Sequence, residues 1–124
     1  MTQTIQRFLL VEAAGFLLAS LCHFGVLVHG YEHGRAAIAE STIAAVLLIG
    51  LGLTLLWPAR TRLIGLIAQG FALLGTLVGL FTIAVGIGPR TVPDLAFHVG
   101  IVIVLVGGLT VAARTPAERA PLHA

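Results

Sequence analysis

Lysine is absent from the chain: all seven of its basic residues are arginine. No side-chain amine is therefore available for a Schiff base, which excludes retinal-type chemistry. Cysteine is nearly absent too, and the lone Cys22 cannot close an internal disulfide. Charge is scarce, at 10% of 124 residues, against about 25% in a soluble domain. A chain that is 58% hydrophobic and carries so few charges lacks the polar surface to cover its own core, so lipid is its expected solvent. The net charge of +2 is too small, and the arginines too dispersed, to form a phosphate-binding stripe, which excludes nucleic acid as a partner.

What the sequence does contain is long apolar runs. A spanning helix needs about 20 mostly apolar residues, and four runs qualify: 8–28, 36–56, 63–87 and 95–113. The breaks between them are polar or turn-forming. His29 to Arg35 holds two glycines, Trp57 to Arg62 joins an interfacial Trp to a helix-stopping Pro, and Gly88 to Asp94 holds Pro89 and Pro93. Connections of about seven residues or fewer make neighbouring helices antiparallel. The expected architecture is an all-α polytopic membrane protein, a single antiparallel bundle of four transmembrane helices over 8–113, between an N-terminal segment 1–7 and a tail 114–124.

The first run reads as a signal anchor rather than a cleaved signal. Leu21 precedes Cys22 where lipoprotein cleavage needs a small residue, only Arg7 charges the N-region, and the run is longer than a usual signal core. Arg7, Arg60, Arg62, Arg114 and Arg119 fall on one side of the membrane, Arg35 and Arg90 on the other. The positive-inside rule then places both termini in the cytoplasm of a bacterial-type inner (plasma) membrane and turns the first and third connections outward.

Along the third run Gly65, Ala68, Ala72, Gly75, Gly79, Thr82 and Gly86 recur at alternating steps of three and four, the 3.5-residue spacing of a left-handed helix pair. In lipid, close approach at small residues is what holds helices together. The partner of this seam is another helix of the same chain, or a second protomer in a homodimer or larger complex.

Polar residues within the runs are the candidates for function. At about 100° per residue, Glu12 and His23 share a face of the first helix, Asp94 and His98 are i and i+4 on the fourth, and Glu40 follows His33 at i+7 on the second. In the outward topology His23, Glu40 and His98 lie at similar depth in the outer leaflet, capped by His29, Glu32, His33 and Asp94. Imidazole and carboxylate are common ligands of Zn, Cu, Ni and Fe, and a carboxylate one turn from a histidine can ligate beside it or orient it. His23, Glu40, His98, Asp94 and His33 are therefore candidate ligands of a transition metal, in a metal-handling protein or a redox-complex subunit. Alternatively His23 and His98 supply the two axial ligands of a b-type haem. The plainer alternative is interhelical hydrogen bonding, with Glu40 paired to Arg35 and Asp94 capping its helix through the Thr91-Val92-Pro93-Asp94 pattern.

Glu12 lies in the opposite half of the membrane, with Gln69 the nearest polar residue at comparable depth. An intramembrane carboxylate points to function, and Glu12 with Glu40 defines a second class, a proton-coupled small-molecule transporter. In chain length, four spans and the first-helix Glu12, the sequence is similar to the small multidrug-resistance transporters, and the resemblance implies proton exchange at Glu12. The aromatic cage of that family has no counterpart, because Trp57 is interfacial, Tyr31 lies in a loop and the third helix is lined with small residues. The chain is accordingly not assigned to it. A third class is a structural subunit of a larger membrane complex. No nucleophile with a paired base, phosphate loop or nucleotide motif is present, so an independent enzyme is not expected. The tail reads as a short exposed extension in which His123 is inert.

Overall fold

In a computed structural model that describes residues 1–117, the chain forms four long α-helices: α1 (Thr2–His23), α2 (Gly34–Leu56), α3 (Thr61–Ala84) and α4 (Val92–Arg114). The tail readings at Arg119 and His123 lie outside the described residues. Each helix is long and apolar enough to cross a membrane, and 22 to 24 residues at about 1.5 Å each span roughly 33–36 Å. No strand occurs among the described residues. The connections make sequence neighbours antiparallel, with α1–α2 and α3–α4 joined at one end of the bundle, here the loop end. The start of α1, the end of α4 and a 3-10 turn over Pro58–Arg60 lie at the other.

The helix ends follow from local chemistry. Gly25 (φ 74°) and Gly86 (φ 84°) adopt the left-handed region that glycine alone enters freely. There they stop α1 and α3 by the same motif, with Val26 N–H bonded to the Leu21 carbonyl and Ile87 N–H to that of Thr82, each 2.9–3.0 Å. That is why α1 ends at His23, where the apolar run continued to Val28. The first span is displaced toward the N-terminus, 2–23 in place of 8–28, and His23 sits at the helix end instead of five residues within it. Similarly α3 stops at Ala84 rather than Ile87. Arg90 reaches back to cap that stop, its Nε and Nη2 donating to the Ile83 and Ala84 carbonyls at 2.8 Å, a cation on the negative end of the helix dipole. At α4 the Thr91 and Asp94 side chains each accept from the other's backbone N–H, a full capping box with Pro93 in the first turn. His33 caps α2 by accepting from Ala36 N–H at 3.3 Å.

The buried core runs down the middle of the bundle, with Ile5, Leu9, Ala13 and Phe16 of α1 against Ile43 and Leu47 of α2, Ala68 and Ala72 of α3, and Ile101 and Leu105 of α4. Large aliphatic side chains also cover the outside, Leu10, Ile49, Ile67 and Ile103 among them, each more than half exposed. Such a surface would aggregate in water and suits contact with lipid chains. The small residues of α3 turn inward. A Cβ on Gly65 would come 2.6 Å from Ile5 Cγ2 of α1, one on Gly75 2.8 Å from Ile43 Cδ1 of α2, and one on Gly79 3.1 Å from His98 Nε2 of α4. Ala68 closes on Gly50 in the same way. These contacts lie within one chain. Gly86, the last residue of the sequence seam, is beyond the helix and serves the turn instead.

Candidate functional site

Three helices deliver one polar side chain each to a point near the loop end. His23 closes α1, Glu40 lies two turns into α2, and Asp94 sits in the first turn of α4; all three are buried, at 5%, 4% and 6% exposure. His23 Nδ1 is 2.7 Å from Glu40 Oε2 and its Nε2 2.9 Å from Asp94 Oδ1. Both ring nitrogens are thus bonded to carboxylates, and histidine is the hub that ties α2 to α4 through α1. Asp94 performs two tasks at once, since its second oxygen accepts from the Thr91 backbone and hydroxyl. One turn below the hub, Ser20 donates to the Ala37 carbonyl at 3.1 Å and meets the Ser41 hydroxyl at 2.6 Å, a second polar tie between α1 and α2.

His98 joins the cluster at one remove. Its Nδ1–H donates to the Asp94 carbonyl at 2.7 Å, which leaves Nε2 free, facing Gly79. His33 lies edge-on to His23, with ring centroids 6.4 Å apart. His29 and Glu32 stay in the exposed first connection, and Glu40 pairs with His23 rather than Arg35. Cys22 is half-buried beside the hub.

The charge count of the hub is informative. Each N···O contact needs one proton between its atoms, and two protons shared among one imidazole and two carboxylates leave one net negative charge wherever those protons sit. No arginine neutralises it among the described residues. Glu40 Oε1 is meanwhile buried without any hydrogen-bond partner, which is costly for a polar atom and more so for a charged one. The hub carries one net negative charge and one unpaired oxygen.

Two cavities flank it. The first, of about 470 Å³, opens between α1 and α4 and is walled mostly by apolar side chains, with His23 and Asp94 in its lining. The second, of about 190 Å³, lies among α2, α3 and α4; Glu40 and His98 line it together with Thr76 and Gly79, and it continues to His33, Arg35 and Pro89 at the loop end. The hydrogen-bonded chain Asp94–His23–Glu40 connects one cavity with the other.

The five residues expected to ligate a metal are brought to one end, but they do not form a ligand shell. Among the described residues no group of three His, Cys, Asp or Glu side chains is arranged to hold a metal ion. His23 has no free nitrogen to offer either a metal or a haem iron, whereas His98 Nε2 and Glu40 Oε1 have free lone pairs. Sequence reasoning did not single out Ser20 and Ser41 or the cap of Arg90; the one available signal for Ser20 was its place three residues before His23, on the same helical face.

Glu12 lies on the same face of α1, eleven residues before His23 or about 16 Å along the axis. Both its oxygens are buried without partners, as is Gln69 Oε1, while Gln69 Nε2 donates to the Gly65 carbonyl at 3.2 Å. The two side chains meet at Gly108 of α4, where a Cβ would collide with Gln69 Oε1 and lie 2.7 Å from Glu12 Oε1. A proton on Glu12 would give Gln69 Oε1 the donor it lacks. The chain matches no protein-family model, no curated protein and no solved structure. Function must therefore be argued from the site alone.

Proposed function

We propose that this bundle is a proton-coupled carrier of a small molecule, with the Glu40–His23–Asp94 chain as its proton site. The observation that supports it most directly is the bare Glu40 Oε1: a buried hub with one net negative charge holds an unpaired carboxylate oxygen, and Glu40 lines a cavity that reaches the loop end. A third proton is the smallest cation able to complete it, and a hydrogen-bonded imidazole passes protons between its two nitrogens without moving far. Glu12, with its own bare oxygens, is a second proton site midway along α1. The arginine distribution favours an inner-membrane orientation with the loop end outward, so that Glu40 loads from the outside and Glu12 lies nearer the cytoplasm.

Infrared difference spectra of the protein in lipid nanodiscs, taken between acidic and alkaline buffer, test the reading. Protonated-carboxyl bands that shift in D2O should appear, one of which is lost in Glu40→Gln and kept in Glu12→Gln. A spectrum indifferent to Glu40→Gln overturns it. The competing reading is a transition metal held by Glu40 and His98, residues that both line the second cavity. Elemental analysis and an absorption spectrum of purified protein distinguish the two. About one Zn, Cu or Ni per chain, lost in His98→Ala, favours the metal; a metal-free, colourless preparation that takes up none of them removes the metal reading, and the colourless spectrum removes haem.

A further inference from the structure

We infer that the cavity between α1 and α4 is the carrier's substrate site, and that it takes a lipid-dissolved aromatic molecule through a ring hydroxyl, of the phenol or quinol class. This rests on the proton-site reading above and names the substrate class of that same site.

The cavity is formed by a specific failure of packing. Below it α1 and α4 touch closely, where a Cβ on Gly15 would stand 3.3 Å from Ile101 Cδ1. Above it the first connection folds over the end of α1, pinned by His33 N–H to the His23 carbonyl at 2.9 Å. Between these two closures the helices part and leave about 470 Å³, within the range of small-molecule sites. Its walls include Leu18, Ala19, Val28 and Phe97, side chains that suit a ring. Phe97 is itself held edge-on by Phe16, with centroids 5.7 Å apart, so that wall is rigid. Leu18 is exposed on the helix surface, and the opening therefore faces the region that lipid occupies.

The polar end of the cavity decides which group is recognised. His23 and Asp94 both line it, and both His23 nitrogens are already engaged. Pro93, beside them in the lining, has no N–H. What this end has to spare is acceptor capacity: Asp94 Oδ1 receives one bond, from His23, and a carboxylate oxygen can take two. A ligand carbonyl would meet no free donor on His23, Asp94 or Pro93, whereas a hydroxyl would donate to Asp94 Oδ1 and extend the chain hydroxyl–Asp94–His23–Glu40 toward the second cavity. Tyr31, half-exposed in the first connection, and the thiol of Cys22 are the remaining polar groups of the lining. An acyl chain would fill the walls and leave the polar end unused.

Binding of 2,3,5-trimethylphenol and of its methyl ether to the protein in nanodiscs, measured by saturation-transfer NMR titration, tests this. The ether keeps the ring and loses the donor. The phenol should bind at least about tenfold more tightly, equivalent to ~1.4 kcal/mol, and Ala19→Leu, which fills the cavity from a lipid-facing wall, should abolish that binding. The Glu40 carboxyl band should shift when phenol is added to wild type and not when ether is added. Equal affinities for the two probes, or phenol binding unaffected by Ala19→Leu, overturn the substrate site while leaving the proton site standing. Absence of the Glu40 band, with phenol selectivity intact, removes the proton reading and keeps the pocket.

Discussion

Glu32 shows how one residue can organise a connection without being buried. Its Oε2 accepts from Gly30 N–H at 2.8 Å, and its stem fills the space beside Gly25, where a Cβ would lie 2.9 Å from Glu32 Cγ. Hydrogen bonds from its own backbone N–H and from that of Gly30, with a smaller contribution from His29, hold its carboxyl below the usual glutamate range. A depressed carboxyl supports folded structure above the unfolded value and gives that support up as pH falls through the lowered folded one. The Gly30 amide resonance should therefore stay fixed across neutral pH and move only below the ordinary glutamate range, and Glu32→Gln should remove the transition. A Gly30 shift that persists in Glu32→Gln would assign the loop to His29 instead. Eight residues further along the chain, Glu40 has the opposite design: one oxygen is bonded, the other is bare, and the side chain is buried.

Among the helices, α3 is the element whose glycines divide most clearly by environment. Gly75 stands against Ile43 with no room for a methyl group, whereas Gly70, on the same helix, has nothing within 4 Å of an added Cβ. Gly75→Leu should lower stability by ~1–3 kcal/mol, the range for overpacking a close contact. Gly70→Ala should be neutral or raise stability by ~0.5–1 kcal/mol, because alanine loses less backbone entropy in a helix. Denaturant unfolding in mixed micelles reads both, and equal effects of the two substitutions would show that the seam does not hold the bundle. Small residues of α3 admit a neighbour's side chain, whereas Leu18, Ala19 and Cys22 of α1 line an opening toward α4 above the close contact at Gly15.

At the scale of the whole molecule the hub lies near the loop end and Glu12 midway along α1, with Phe16, Ile43 and Ile101 of the apolar core between them. On the proposed carrier reading, a proton moving between Glu40 and Glu12 crosses that part of the core, and the orientation in the membrane fixes which side loads. Arg35 and Arg90 stand at the loop end against Arg7, Arg60, Arg62 and Arg114 at the other. A periplasm-active reporter inserted at Gly30 should be active and one fused after Ala124 silent. The reverse pattern would place Glu12, not Glu40, on the external side.

The number of helices, their antiparallel order and the polar residues of interest were legible in the sequence. Long apolar runs, turn residues and the Thr91–Asp94 cap are local properties, decided by a dozen or so neighbouring residues. The helix limits were less legible. Hydropathy cannot see that Gly25 and Gly86 turn left-handed and end α1 and α3 before the apolar runs do. Nor could it tell that His23 is a hub bonded at both nitrogens, that the α3 seam faces its own chain, or that Gln69 and Glu12 meet at Gly108. Each of these depends on helix rotation and crossing, which are set by side chains from three or four helices at once and by residues as far apart as 23 and 94. Membership of the bundle is therefore written in composition and periodicity. The chemistry of its centre exists only where the tertiary structure brings one histidine between two carboxylates and leaves a single oxygen bare.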